Sequence, residues 1–155
     1  MNSQIGVNTL RKDAWEKVTG RAKYTGDTIS ADMLHVRLLT STYAHALIKN
    51  IDTANAMKST GVKAIITGED VPFLTGPMIC DRPIIARKKV RYFGEPVAVE
   101  VANSEEEAMR AVHLIEVEYE KLPVVNSVED AITKGGTLVH KDLGRYYYPA
   151  THIYP

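Results

Sequence analysis

Cysteine is nearly missing. The 155 residues include one, Cys80, so no disulfide can close within the chain and no multi-cysteine metal site can form. Net charge is missing too: 19 Lys and Arg balance 19 Asp and Glu. That balance removes the electrostatic basis for a nucleic-acid or anionic-membrane partner. No apolar run reaches the roughly 18 residues of a membrane span. The polar stretch from Met1 to Arg11 lacks the apolar middle of a signal peptide. The expected location is the cytoplasm, with no membrane and no nucleic acid among the partners. Zero net charge leaves self-association unopposed, so a homo-oligomer is allowed.

What is there describes an ordinary folded domain. Hydrophobic residues make up 45% and charged residues 25%, too apolar for a disordered chain. Residues 1–31 have no sustained periodicity and read as an extended lead-in with turns at Gly20 and Gly26. The run from Met33 to Ser41 reads as a strand buried mainly through Leu34, Val36, Leu38 and Thr40. Leu47–Ile51 is a second strand. Asp52 or Thr53 caps a short helix over 53–59, Gly61 ends it, and Val62–Thr67 follows as a strand. Residues 68–83, with Gly68, Pro72, Gly76, Pro77 and Pro83, read as an irregular loop. Pro83–Ala86 and Val90–Phe93 are short strand candidates.

Pro96–Ala102 is the strongest strand, with Val97, Val99 and Val101 at spacing two. These valines are expected to be buried beside Val112 and Ile115. Ser104-Glu105-Glu106-Glu107 is a capping box that opens a helix over about 105–114, whose apolar face is Ala108, Ala111, Val112 and Ile115. Ile115–Glu120 alternates apolar and acidic residues, a half-exposed strand. Ser127 caps a last short helix over 128–133, stopped by Gly135-Gly136. The order β-β-α-β, irregular β, β-α-β predicts an α+β fold: a mixed sheet with two main helices packed on it. From His140 to Pro155 the chain has no pattern, although Tyr146, Tyr147, Tyr148, Ile153 and Tyr154 bring much apolar area.

Residue chemistry by itself yields no catalytic, cofactor-binding or metal-binding set. Gly20–Gly26 lacks the Lys-Ser/Thr ending of a phosphate loop, and Asp27 follows instead. Of His35, His45, His113, His140 and His152, no two stand at helical metal-ligand spacing; His45 reads as a packed or turn histidine with its ring nitrogens satisfied locally. Arg87-Lys88-Lys89 with Arg91 is the one basic cluster and reads as a solvated loop or a polar contact with protein. Glu105–Glu107 are explained by capping, and Glu116, Glu118 and Glu120 by a solvent face. Cys80 has no base beside it in sequence. Glu95 is a candidate only because Gly94 and Pro96 hold it in a rigid turn.

Several stretches resemble one family. Gly20–Asp27 matches the pattern G-x-A-x-Y-x-x-D. Ser41–Ile48 matches S-x-x-A-H-A-x-I and continues through Lys49-Asn50-Ile51-Asp52. Ala56–Ala64 with Asp70 and Pro72 matches A-x-x-x-x-G-V-x-A-x-x-x-x-x-D-x-P. Val90–Ala98 matches V-x-x-x-G-x-P-V-A, and Val117–Pro123 matches V-x-Y-x-x-L-P. In this order and register, across 19–132, the chain resembles the α/β-hammerhead domain that opens the molybdenum-binding subunit of the xanthine dehydrogenase and aldehyde oxidase family. The wording around Thr40–Thr53 is most similar to xanthine dehydrogenase.

The resemblance implies an N-terminal extension over 1–18, the hammerhead over 19–133 and a linker over 134–155 toward a molybdopterin-binding domain. The complete enzyme is implied to hydroxylate xanthine or hypoxanthine with oxygen from water. Molybdopterin-molybdenum would sit in the later domains of the subunit, with iron–sulfur clusters and FAD on partner subunits passing electrons to NAD. In single-chain relatives the iron–sulfur and flavin domains come first, so their absence before the first motif implies the separate-subunit arrangement or a piece cut from a longer chain. The family's cofactor-binding residues and catalytic glutamate lie beyond the matched region, so the resemblance assigns no catalytic, cofactor or metal residue here. An aldehyde oxidase-type enzyme, or a stand-alone binding or assembly module with no enzyme attached, remains the alternative.

Overall fold

In a computed structural model of the chain, residues 6, 8–76 and 80–141 are described. They divide into two compact units, residues 1–33 and 34–155. The tyrosine-rich tail expected to run toward a further domain lies outside the described residues.

The first unit holds a helix, α1 (Ala14–Val18), where sequence periodicity gave none. Five residues are too few to show a period. Asp13 stabilises its start by pairing with Arg11 at 2.7 Å and Lys17 at 3.1 Å. The Lys17 ammonium, then the Arg11 guanidinium, hold the Asp13 carboxyl below the usual range. Thr19 closes the helix by donating to the Trp15 carbonyl at 2.6 Å. A single 3-10 turn follows at Thr25–Asp27, in which the Asp27 carboxylate accepts from the Tyr24 amide at 2.8 Å. The acid that argued against a phosphate loop thus serves the backbone of its own turn.

In the second unit the elements follow as β1 (His35–Thr40), β2 (Ala46–Asp52), α2 (Ala54–Met57), β3 (Val62–Thr67), β4 (Leu74–Thr75), β5 (Arg82–Pro83), β6 (Lys89–Val90), β7 (Pro96–Ala102), α3 (Glu105–Val112), β8 (Glu116–Lys121) and α4 (Val128–Ile132). The α+β class is as expected. The strands, however, form two three-stranded sheets, β1-β7-β3 and β6-β2-β8, and every pair is antiparallel. The reason lies in the connections. α2 links β2 of one sheet to β3 of the other, and α3 links β7 to β8 across the same divide. A helix that changes sheets creates no parallel neighbours. The loop over 68–83 also contains structure, the two-residue hairpin β4-β5.

Local signals are confirmed closely. Ser104 caps α3 as expected, accepting from the Glu107 amide at 3.3 Å, but the Glu107 carboxylate takes the Ser104 hydroxyl at 3.0 Å in place of the backbone amide that a full capping box uses. Ser127 accepts from the Asp130 amide at 3.0 Å. The Asp52 carboxylate accepts from the Ala54 amide at 2.8 Å. Gly61 takes φ +83°, left-handed as the αβ connection requires. Glu116, Glu118 and Glu120 lie on the exposed face of β8.

The faces of the first sheet are the reverse of the sequence expectation. In β1, His35, Arg37 and Leu39 are the more covered side, while Val36 and Leu38 are about half exposed. In β7, Ala98, Glu100 and Ala102 are buried and Val99 and Val101 are only partly covered. Antiparallel register puts His35, Arg37 and Leu39 on one face with Ala102, Glu100 and Ala98. Helix α3 covers that face with Ala108, Ala111 and Val112, all buried. Small residues on strand and helix allow close approach, and this size match outweighs the greater apolarity of the valines. Val112 and Ile115 therefore pack with Ala98, Ala56, Leu39 and Ile65, and not beside Val99 and Val101. Val97 is buried in a different cluster, with Ala46, Ala86 and Val90. At Thr40↔Pro96 the register shifts, and the Pro96 carbonyl accepts from the Ala86 amide at 2.7 Å, which brings Val97 to that second cluster.

Candidate functional site

Chemistry-bearing side chains concentrate at the turn joining β6 to β7. Gly94 adopts φ +85°, a backbone shape that disfavours any side chain. Its amide donates to the Ser41 carbonyl at 2.9 Å, and the Ser41 amide donates to the Glu95 carbonyl at 2.8 Å. The Glu95 side chain, 2% exposed, turns inward and accepts from the Arg91 amide. Its other oxygen stands 3.7 Å from the Arg91 guanidinium. Burial pushes the Glu95 carboxyl above its ordinary range, while the Arg91 amide and charge oppose that shift. Glu95 thus fastens the 91–96 turn. The rigid-turn signal located it correctly, and its partners are structural.

Three members of the basic cluster, Arg87, Lys89 and Arg91, are engaged by the protein itself. Arg87 donates to Glu69 at 2.8 and 3.0 Å, an exposed pair. Hydrogen bonding from Arg87 lowers the Glu69 carboxyl and raises the guanidinium. Lys89 donates to the Val139 carbonyl, and Arg91 to the Lys89 carbonyl at 3.1 Å. Open clefts of about 330 and 400 Å³ adjoin these residues; Cys80, Arg87 and His140 line the first, and Tyr92, Glu95 and His140 the second. His140 lies 4.0 Å from Asp81. Cys80 is exposed.

His45 is packed, as expected, but its ring is not satisfied locally: Nδ1 donates to the distant Pro123 carbonyl at 2.6 Å, Nε2 is buried with no hydrogen-bond partner among the described residues, and its own carbonyl takes the Leu122 amide at 3.0 Å. Tyr43 packs against Tyr119 in a tilted pair, ring centroids 5.1 Å apart, with Lys121 above the Tyr43 ring. This pins the Ser41–Ala46 segment to β8. The A-H-A stretch therefore ties β2 to the segment after β8.

One feature escaped sequence reasoning. Glu100 is fully buried beneath α3, and neither carboxylate oxygen has a hydrogen-bond partner among the described residues. Arg37 stands opposite it on β1 but pairs with Glu105 at the start of α3. Burial raises the Glu100 carboxyl above its ordinary value, and the charge of Glu107 adds to the shift. Only its place in an otherwise apolar strand, Val97-Ala98-Val99-Glu100-Val101, hinted at it.

Among the described residues no three His, Cys, Asp or Glu side chains are grouped to hold a metal ion, and no helix is long and apolar enough to cross a membrane. Glu95, Arg87, Lys89 and Arg91 are committed to internal contacts.

The architecture is an α+β domain whose helices bridge two antiparallel sheets and whose polar clusters serve the fold. The family profile described as "Aldehyde oxidase and xanthine dehydrogenase, a/b hammerhead domain" matches residues 19–123. The chain belongs to that family, as its α/β-hammerhead domain. It is 40% identical over 135 residues to a probable xanthine dehydrogenase subunit of Bacillus subtilis, covering 86% of this chain and 18% of that protein. It is 36% identical over 144 residues to the xanthine dehydrogenase molybdenum-binding subunit of Escherichia coli O157:H7, covering 84% and 19%. The crystal structure of quinoline 2-oxidoreductase from Pseudomonas putida 86 superposes with a TM-score of 0.75 at 37% identity, covering 85% of this chain and 18% of that one. The chain thus spans less than a fifth of the length of these relatives.

Proposed function

We propose that this domain is a non-catalytic scaffold within the molybdenum-binding subunit of a xanthine dehydrogenase-like hydroxylase. The observation that carries the reading is the 36% identity to a xanthine dehydrogenase molybdenum-binding subunit along 84% of the chain. The complete enzyme hydroxylates xanthine or hypoxanthine with oxygen from water, as a step of purine breakdown in the cytoplasm. Molybdopterin supplies the two-electron chemistry from other domains of the subunit. Iron–sulfur and flavin subunits are the partners that carry electrons to NAD. Within the subunit, residues 19–133 form the hammerhead, 1–18 an extension before it and 134–155 a link to the rest. What the chain's own residues do is hold shape: Glu95 and Ser41 fix one turn, and Tyr43 and His45 fix another segment.

The test is purification of the full-length subunit with its co-purifying partners from the native host. Stoichiometric molybdenum together with xanthine-dependent NAD reduction is expected. Oxidation of aldehydes but not purines would replace the substrate assignment, and a gene product without molybdenum would overturn the reading. The 155-residue chain alone is expected to bind no molybdenum and to leave hypoxanthine unchanged; turnover by it would defeat the scaffold role.

A further inference from the structure

Among the described residues of the second unit, α3 packs on one face of the β1-β7-β3 sheet and the outer face stays partly exposed. Register aligns Val36 with Val101 and Ala64, and Leu38 with Val99 and Ile66, in two rows across the three strands. Every member is aliphatic and none ionises. Val36 is 56% and Leu38 51% exposed, and the other four are partly covered. Helix α3 covers the opposite face, so these rows are apolar on the side that the described residues of their own unit leave partly exposed. In a sheet with one wet face, alternation places polar residues outward; here the outward rows are the aliphatic ones.

Size decides what can cover it. Strands about 4.8 Å apart, with about 6.7 Å between same-face residues, give two such rows an area of about 200 Å². A separate protein, or a second copy of this chain, needs about 800 Å² per partner for a stable interface. A tethered surface needs far less, because its effective concentration is in the millimolar range. The relatives carry more than four-fifths of their length beyond the matched region. We infer that this face is a docking surface for further polypeptide of the same subunit, presenting an aliphatic helix or sheet face to Val36, Leu38, Val99 and Ile66. The inference rests on the reading of the chain as one domain of a larger subunit, and it adds which face of the domain is the seam.

The experiment uses the full-length subunit in its assembled enzyme. A photo-crosslinking p-benzoylphenylalanine replaces Leu38, and cross-linked peptides are mapped by mass spectrometry. The expected product is an intrachain link from position 38 to a peptide outside residues 1–155. A link to a second copy, a link to a separate subunit, or links only within 1–155 would overturn the inference. Hydroxyl-radical labelling of the unmodified enzyme guards against a misfolded variant. Val36 and Leu38 should label as slowly as Val112 and Ile115, which the domain buries by itself; labelling at the pace of half-exposed aliphatics would overturn the inference. Molybdenum content and xanthine turnover are read on the same preparation. An active enzyme with an open face sinks the docking surface and spares the functional reading, whereas an intrachain link in an enzyme inactive on purines does the opposite.

Discussion

The two faces of the β1-β7-β3 sheet are built from the same three strands and treat charge in opposite ways. The inner face holds Arg37, Glu100 and His35 among alanines beneath α3. The outer face carries two aliphatic rows, Val36-Val101-Ala64 and Leu38-Val99-Ile66, with Thr40 at the end of β1, and stays partly open. Apolarity along a strand therefore did not mark the side that the domain buries. The deciding factor was which side a helix with small residues could approach closely.

The largest expected effect lies under the helix. Ile115→Ala removes a buried side chain that packs with Ala56, Ala98 and Val112 and should destabilise by about 2–5 kcal/mol in a denaturant titration. A change below about 1 kcal/mol would mean that α3 does not seal this face.

Next comes the buried acid. Burial raises the Glu100 carboxyl from its ordinary value of 4.5. Stability associated with the neutral form is then complete below that value and lost as pH rises through the raised one. Glu95 shifts the same way and for the same first cause. Glu100→Gln keeps the shape and removes one ionisation, so urea midpoints between about pH 4 and about pH 8 should fall less steeply with pH than in the parent. Identical slopes in the two proteins would show that Glu100 is solvated in solution.

The outer face should respond weakly in the isolated domain. Val99→Ala removes a partly covered side chain and is expected to destabilise by about 0.5–1 kcal/mol, less than a core valine would. A loss near that of Ile115→Ala would mean that the outer face is covered within the domain itself. Smallest of all, Glu118→Ala on the exposed side of β8 should stay within about 0.5 kcal/mol of neutral. A larger loss would assign its face a partner inside the domain.

Much of the fold was legible in the residues because its signals were local. Ser104 and Ser127 each reach their own helix's third amide, Gly61 supplies a backbone angle, and Ile115–Glu120 alternates against water on one side. Each needs only neighbours a few positions away. The family was legible for a related reason: motifs such as Ser41–Ile48 and Val90–Ala98 combine turn residues and packed side chains in fixed order. The short elements α1 and β4-β5 were not legible, since a few residues cannot display a period. The candidate site was legible only in part. Gly94-Glu95-Pro96 announced a rigid turn, but that the Glu95 carboxylate would be consumed by the Arg91 amide depends on a fold-wide arrangement with Ser41.

By itself, then, the sequence determined the longer elements, their caps, the acidic outer side of β8 and membership in the hammerhead family. The tertiary structure decided the rest. It sent α2 and α3 across from one sheet to the other, which makes every strand pair antiparallel. It placed Glu100 inside and Val36 and Leu38 outside. An alternating strand offers two faces of nearly equal standing, and only the helix that arrives from elsewhere in the chain chooses between them.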